Sequence, residues 1–201
     1  MWLQIALGAP AAAAGAMMRA DSTQTSRAVE YVHALIRREV ARGVPAERIV
    51  VGGFSQGGLI ATRAALSFPD GALGGALALS AFFGADEAPV TAANGQLRVL
   101  VAHGEADNVV PVSEGRRVAA SVRRLAPHAD AEFRSYGGMG HSTCADEVSD
   151  LRAFLQSVMG GSSAGAGEAA AGTPVRCTLK PEPSSLEAMS ARAGSANCGL
   201  L

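Results

Sequence analysis

Ser55 lies in Gly53-Phe54-Ser55-Gln56-Gly57, a G-x-S-x-G segment. A β-branched run, Ile49-Val50-Val51, precedes it, and a helical stretch follows to about Ser67, where Pro69-Asp70-Gly71 breaks it. Such a strand–turn–helix setting points a serine hydroxyl out of a sharp, strained turn. A Cβ at Gly53 or Gly57 would crowd that turn, which explains the elbow glycines. The Gln56 backbone N–H would face the oxygen that becomes negative during attack, and the helix N-terminus adds favourable potential there. The competing reading is a plain glycine-rich β–α turn.

A serine hydroxyl attacks a carbonyl well only when a base takes its proton and an acid orients that base. Two acids qualify in the segment His103-Gly104-Glu105-Ala106-Asp107-Asn108-Val109-Val110-Pro111, which follows an expected strand. Asp107 is preferred over Glu105 because Val109-Val110-Pro111 would pack and hold the loop beyond it. Four histidines compete for the base. His33 falls on a helix near Glu30 and Arg37 and is expected in solvent. His103 ends a buried strand and is expected to be a hydrogen-bonded structural histidine. His128 follows Pro127 on a surface loop. His141 closes the glycine-rich run Gly137-Gly138-Met139-Gly140, which can carry an imidazole over the carboxyl edge of a sheet. The ordered set Ser55, Asp107 and His141 therefore predicts nucleophilic acyl chemistry.

These residues need a scaffold of strands alternating with helices. Val29, Val32, Ile36 and Val40 recur at helical spacing over 22–43, ended by Gly43 and Pro45. Strands are expected at 49–51, 77–79, 97–102 and 131–136. Helices are expected near 113–125, with Val118, Val122 and Leu125 inward, and after His141, with Val148, Leu151, Leu155 and Val158 inward and Thr143 with Asp146 as its cap. This order predicts an α/β class with a mostly parallel sheet flanked by helices.

The chain has 201 residues, 48% hydrophobic and 17% charged, enough for one α/β domain plus a tail. Its formal net charge is −1 and aromatics are 4%, which gives no pull toward nucleic acid and at most peripheral contact with a membrane. The three cysteines, Cys144, Cys177 and Cys198, form neither a disulfide framework nor a zinc spacing, so a reducing, cytoplasmic setting is expected. Cys144 reads as a small buried residue. Nothing in the spacing calls for a metal or an organic cofactor. Residues 1–22 are expected to form a weakly ordered, Ala/Gly-rich leader, 23–159 the folded domain, and 160–201 a disordered low-complexity tail.

Gly52-Gly53-Phe54-Ser55-Gln56-Gly57-Gly58, the Asp107 segment and Gly138-Met139-Gly140-His141-Ser142 resemble the three signature segments of acyl-protein thioesterases. These belong to the phospholipase/carboxylesterase group of α/β-hydrolases. The likeness runs from about Thr23 to Val158. It implies an α/β-hydrolase fold and cleavage of palmitoyl thioesters on proteins, with side activity on lysophospholipids or small acyl esters. Ser55 would be nucleophile, Asp107 orienting acid, His141 base, and Gln56 one oxyanion donor. The family carries Asp where Glu105 stands. It also begins with further strands and a His-Gly-x-Gly-Asp loop. Here His-Gly occurs only at His103-Gly104, and Met1-Trp2 resembles a stretch beyond those strands, so the family's N-terminal strands are expected to be missing. Losing one oxyanion donor costs about 100- to 1,000-fold in rate. A rival expectation is therefore a non-catalytic or unstable relative that at most binds acylated proteins. Finally, Cys198-Gly199-Leu200-Leu201 has the shape of a prenylation signal, with a poor aliphatic at Gly199.

Overall fold

The computed structural model describes residues 2–5, 22–83 and 89–160, with residues 2–5 and 22 described as backbone only. Five strands form one parallel sheet in sequence order: β1 (Trp2–Ile5), β2 (Val50–Phe54), β3 (Gly75–Leu79), β4 (Arg98–Gly104) and β5 (Asp130–Tyr136). Helix α1 (Ser22–Ala41) precedes β2, α2 (Gln56–Ser67) joins β2 to β3, α3 (Val112–Leu125) joins β4 to β5, and α4 (Ala145–Gly160) follows β5.

Strands β2, β3 and β4 show no apolar–polar alternation because both of their faces are covered, whereas β5 at the sheet edge alternates. Alternate residues instead divide between two cores. Val51, Ala76, Ala78, Val99, Val101 and Ala131 face one core, which α1, α2 and α3 cover with Val32, Ile36, Ile60, Ala61, Ala64, Val118 and Val122. Val50, Leu77, Leu79, Leu100, Ala102 and Tyr136 face the other, which α4 closes with Leu151 and Phe154. The alanines on the first face let helix backbones approach the sheet closely. Three crossovers with one handedness, each stepping to the next strand, put α1, α2 and α3 on the same side. Each fully buried Leu or Val contributes about 1.5–3 kcal/mol.

Several expectations need correction. Trp2–Ile5 lie in the stretch expected to be a weakly ordered leader, but they pair in parallel with β2, in register Trp2 to Val50 through Ile5 to Gly53. The α1 stripe runs through Thr25, Val29, Val32, Ile36 and Glu39, while Val40 is exposed. Glu39 is carried into the buried face, where the guanidinium of the exposed Arg42 lies 2.7 Å from it. His33, expected in solvent, is only 3% exposed. It shares the stripe with Val29 and Ile36, and the packing of α2 against α1 buries it. Its Nε2 hydrogen-bonds the Ala64 carbonyl at 2.9 Å, and its ring meets Phe68 edge-on.

Helix α4 differs in the same way. Val148 is exposed, and Phe154 and Glu147 take buried positions. The cap falls on Cys144 rather than on Thr143 with Asp146. The Glu147 N–H donates to Cys144 Sγ at 3.5 Å and Val148 N–H to the Cys144 carbonyl at 3.0 Å. Cys144-x-x-Glu147 thus has the layout of a capping box with a thiol in the hydroxyl's place.

Glu147 is fully buried, and neither of its carboxyl oxygens reaches hydrogen-bond geometry with a partner. Burial pushes this carboxyl up to about 7, and the Cys144 backbone N–H opposes the shift only in part. The folded chain therefore holds this proton where the unfolded chain has lost it, and stability falls as pH rises from about 4.5 to about 7. The full penalty, present above that window, is on the order of 3 kcal/mol. Glu147→Gln is accordingly expected to stabilise the protein more at pH 8 than at pH 4. Urea unfolding of both proteins at both pH values measures this, and an equal difference at the two would refute it.

Residues 161–201, and with them the expected tail, Cys177 and the Cys198 motif, lie outside the described residues, as do 6–21. Among the described residues, no helix is long and apolar enough to cross a membrane.

Candidate active site

Ser55 stands between the last residue of β2 and the first of α2, with φ 54° and ψ −123°. A side chain at positive φ costs on the order of 1–3 kcal/mol and persists only where its surroundings enforce it. Two backbone hydrogen bonds do so: Ser55 N–H donates to the Leu79 carbonyl at 2.8 Å, and Gly58 N–H to the Ser55 carbonyl at 3.0 Å. Packing leaves no alternative path. A Cβ on Gly53 would lie 2.1 Å from the Gly57 carbonyl oxygen. Gly57 supplies the opposing backbone of this contact. A Cβ on Gly58 would lie 2.5 Å from that of Ala81, a constraint between α2 and the segment after β3 that sequence spacing alone does not show. The Ser55 hydroxyl is buried and makes no hydrogen bond. Gln56 opens α2, so its N–H is among the donors that the helix itself leaves unpaired.

Asp107 and His141 meet at the carboxyl ends of β4 and β5. His141 Nδ1 lies 2.7 Å from Asp107 Oδ2. The other carboxylate oxygen, Oδ1, accepts the Val109 N–H at 2.9 Å and the Val110 N–H at 2.8 Å. Burial pushes this carboxyl up, but the bonds from His141, Val110 and Val109 and the nearby imidazole together outweigh it, and the group is held below its ordinary range.

The two loops are joined by backbone hydrogen bonds. Glu105 N–H donates to the Tyr136 carbonyl and Ala106 N–H to the Met139 carbonyl, each at 3.0 Å. Gly138 turns the histidine loop at φ 71°. Gly104 has Met139 against it so closely that a Cβ would stand 2.1 Å from that carbonyl oxygen. These contacts, rather than flexible glycine linkers, hold Asp107 and His141 together.

The imidazole also touches the serine's strand. The Phe54 and His141 rings are 4.7 Å apart at their centroids and tilted 55°. Phe54 adjoins Ser55, so the imidazole rests against the residue next to the candidate nucleophile. Sequence spacing gave no sign of this contact.

The other candidates have other partners or are exposed. Glu105 is exposed and accepts the Ser135 hydroxyl at 2.8 Å. His33 is bonded to α2, and His128 is exposed. His103 is fully buried, with Nε2 bonded to the Val110 carbonyl at 2.8 Å. Among the described residues, no cluster of three or more His, Cys, Asp or Glu side chains could hold a metal ion.

The chain as a whole is similar to known proteins. The acyl-protein thioesterase 1 of Gibberella zeae is 39% identical over 132 residues, covering 63% of this chain and 55% of that protein. A probable carboxylesterase of Oryza sativa subsp. japonica is 34% identical over 139 residues, covering 68% of this chain and 51% of the rice protein. The chain thus spans about half the length of these relatives. The crystal structure of Arabidopsis thaliana SOBER1 superposes with a TM-score of 0.63 at 26% identity, over 69% of this chain and 66% of that one. The fold is that of the α/β-hydrolases. Residues 12–159 match the phospholipase/carboxylesterase family, and the chain belongs to it.

Proposed function

We propose that this chain is a serine hydrolase that cleaves acyl thioesters, such as palmitoyl groups on proteins, and carboxylic esters. The observation that carries the reading is the 2.7 Å contact between His141 Nδ1 and Asp107 Oδ2, formed beside a serine held at positive φ. Asp107 keeps the imidazole proton on Nδ1, which leaves Nε2 free to accept. His141 Nε2 takes the Ser55 hydroxyl proton as Oγ attacks the acyl carbon. The Gln56 N–H stabilises the resulting oxyanion. The tetrahedral intermediate expels a thiol or an alcohol, which takes the proton back from His141, and water then releases the acid from Ser55 by the same steps.

Relatives named acyl-protein thioesterase and carboxylesterase support both substrate classes. Attack by Ser55 is the same for each. S-acylated proteins and small acyl esters are the substrates of this reading, and cytoplasmic residence fits the free thiol of Cys144.

A fluorophosphonate probe tests the reading. The expected result is one covalent adduct, mapped to Ser55 by tryptic mass spectrometry. Folded protein that stays unlabelled would refute it. The rival, a non-catalytic relative that binds acylated proteins, draws support from the Ser55 hydroxyl, which is engaged by no base in this structure. Catalytic hydrogen bonds are often loose before substrate binds, so turnover decides. Palmitate release that depends on Ser55 defeats the rival.

Gly104→Ala provides a geometric check. The new methyl group would collide with the Met139 and Gly140 carbonyls and push the two loops apart. A displacement of about 1 Å costs about 100-fold in rate. Ester hydrolysis by the folded variant should fall by that order, and an undiminished rate would show that this backbone contact does not set the geometry.

A further inference from the structure

His103 is the last side chain of β4 before the acid loop, and no solvent reaches it. Its Nε2 lies 2.8 Å from the Val110 carbonyl and 3.4 Å from Asp107 Oδ2. A carbonyl can only accept, so Nε2 carries the proton. Val110 in turn donates its own N–H to Asp107 Oδ1 at 2.8 Å. The ring therefore binds the far end of the loop that begins beside it, and its Nε2 stands 3.4 Å from the same carboxylate oxygen that receives His141. The ring cannot retreat. A Cβ on Gly115 of α3 would stand 2.5 Å from His103 Nδ1, so the helix backbone lies directly against the imidazole. Beyond the loop, Val110 packs with Leu59 of α2 and with Phe82.

We infer that His103 is a positioning residue for the acid of the triad: it clamps the 104–110 loop through Val110 and presents Asp107 Oδ2 to His141. This rests on the serine-hydrolase reading above. The clamp has a simple geometric logic. Asp107 turns sharply within its loop, because Oδ1 accepts from residues two and three positions ahead. That local turn fixes where the carboxylate lies along the loop but not how the loop sits on the sheet. The Glu105 and Ala106 N–H bonds tie the near end of the loop to β5 and the histidine loop, and the His103 bond to Val110 ties the far end to a strand whose register is set by β3 and β5. A merely space-filling residue at 103 would need no N–H aimed at Val110.

Three variants test this. His103→Phe keeps a ring without the donor. His103→Gln places an amide N–H near the Nε2 position. His103→Asn has an amide that stops near the Nδ1 position. The expected result for His103→Phe is a fall in kcat of up to about 100-fold with KM changed less than about twofold. The strongly downfield proton resonance of a histidine Nδ1–H bonded to a carboxylate should be lost with it. His103→Gln should recover most of both, and His103→Asn should not. If the Phe variant does not fold, the Gln–Asn comparison carries the test. Folded Phe and Asn variants with wild-type kcat and an intact downfield proton would overturn the inference, as would equal losses in Gln and Asn. Failure of the underlying reading is separable, because it would appear as wild-type protein that neither labels at Ser55 nor turns over substrate.

Discussion

Ser55→Ala is expected to lower kcat for thioester or ester hydrolysis by about a million-fold, the loss seen when a triad nucleophile is removed from a serine hydrolase. The fluorophosphonate adduct should vanish with it. Stability should not suffer. The Ser55 hydroxyl is buried without a hydrogen-bond partner, and an unsatisfied buried polar group costs about 1–3 kcal/mol. Alanine tolerates the positive φ no worse than serine does. The melting temperature of Ser55→Ala should therefore equal or exceed that of the parent. This pairing of effects separates chemistry from folding. A variant that keeps more than a hundredth of the activity would show that another group attacks, and the proposed mechanism would fall.

Asp107→Asn should lower kcat by about ten-thousand-fold, for a reason the hydrogen bonds dictate. The Val109 and Val110 N–H groups both point at Oδ1. Only the amide oxygen can accept them, so the new NH2 must occupy the Oδ2 position, opposite His141 Nδ1. An amide donor there obliges Nδ1 to accept and moves the ring proton to Nε2. That nitrogen can then no longer take the proton from Ser55. The His103 N–H, 3.4 Å from the same position, adds a second donor where one acceptor stood. Steady-state kinetics and the loss of the downfield Nδ1 proton check the prediction together. Activity within tenfold of wild type would refute the tautomer argument. A stability effect accompanies it. The folded carboxyl is held below 3.8, so its contribution to stability is present above that pH and lost as pH falls through the folded value. At neutral pH the Asn variant gives up this contribution.

Much of the site is legible in the sequence itself. G-x-S-x-G between a β-branched run and a helix places Ser55 at an elbow, because glycines there answer a steric demand that few other turns make. The order serine, acid, histidine along the chain, with each of the last two after an expected strand, brought Asp107 and His141 forward, and the structure sets them 2.7 Å apart. The helix stripes were read with the right period but an imperfect phase. Val40 and Val148 are exposed, and Glu39 and Glu147 take the buried positions beside them. Residue type favours valine for burial, but the rotation of a helix is set by what it packs against. His33 was misplaced for the same reason: its neighbours Glu30 and Arg37 are charged, yet the partner that buries it is the Ala64 carbonyl, 31 residues away.

Local sequence determined which residue types sit at the ends of which strands, since strand-breaking glycines and the elbow pattern are short-range constraints. It determined the alternating class as well, because a parallel strand needs a crossover helix. Tertiary structure alone decided that Trp2–Ile5 belong to the sheet, that Phe54 supports the His141 ring, that Asp107, already preferred over Glu105, comes within 2.7 Å of that ring, and that His103 grips Val110. The first three join residues far apart in sequence, and the His103 bond, though only seven residues long, exists because the strand ladder and α3 hold its ring in place. Such contacts depend on the register of the sheet and the angle at which each loop leaves it, and no spacing rule along the chain encodes either.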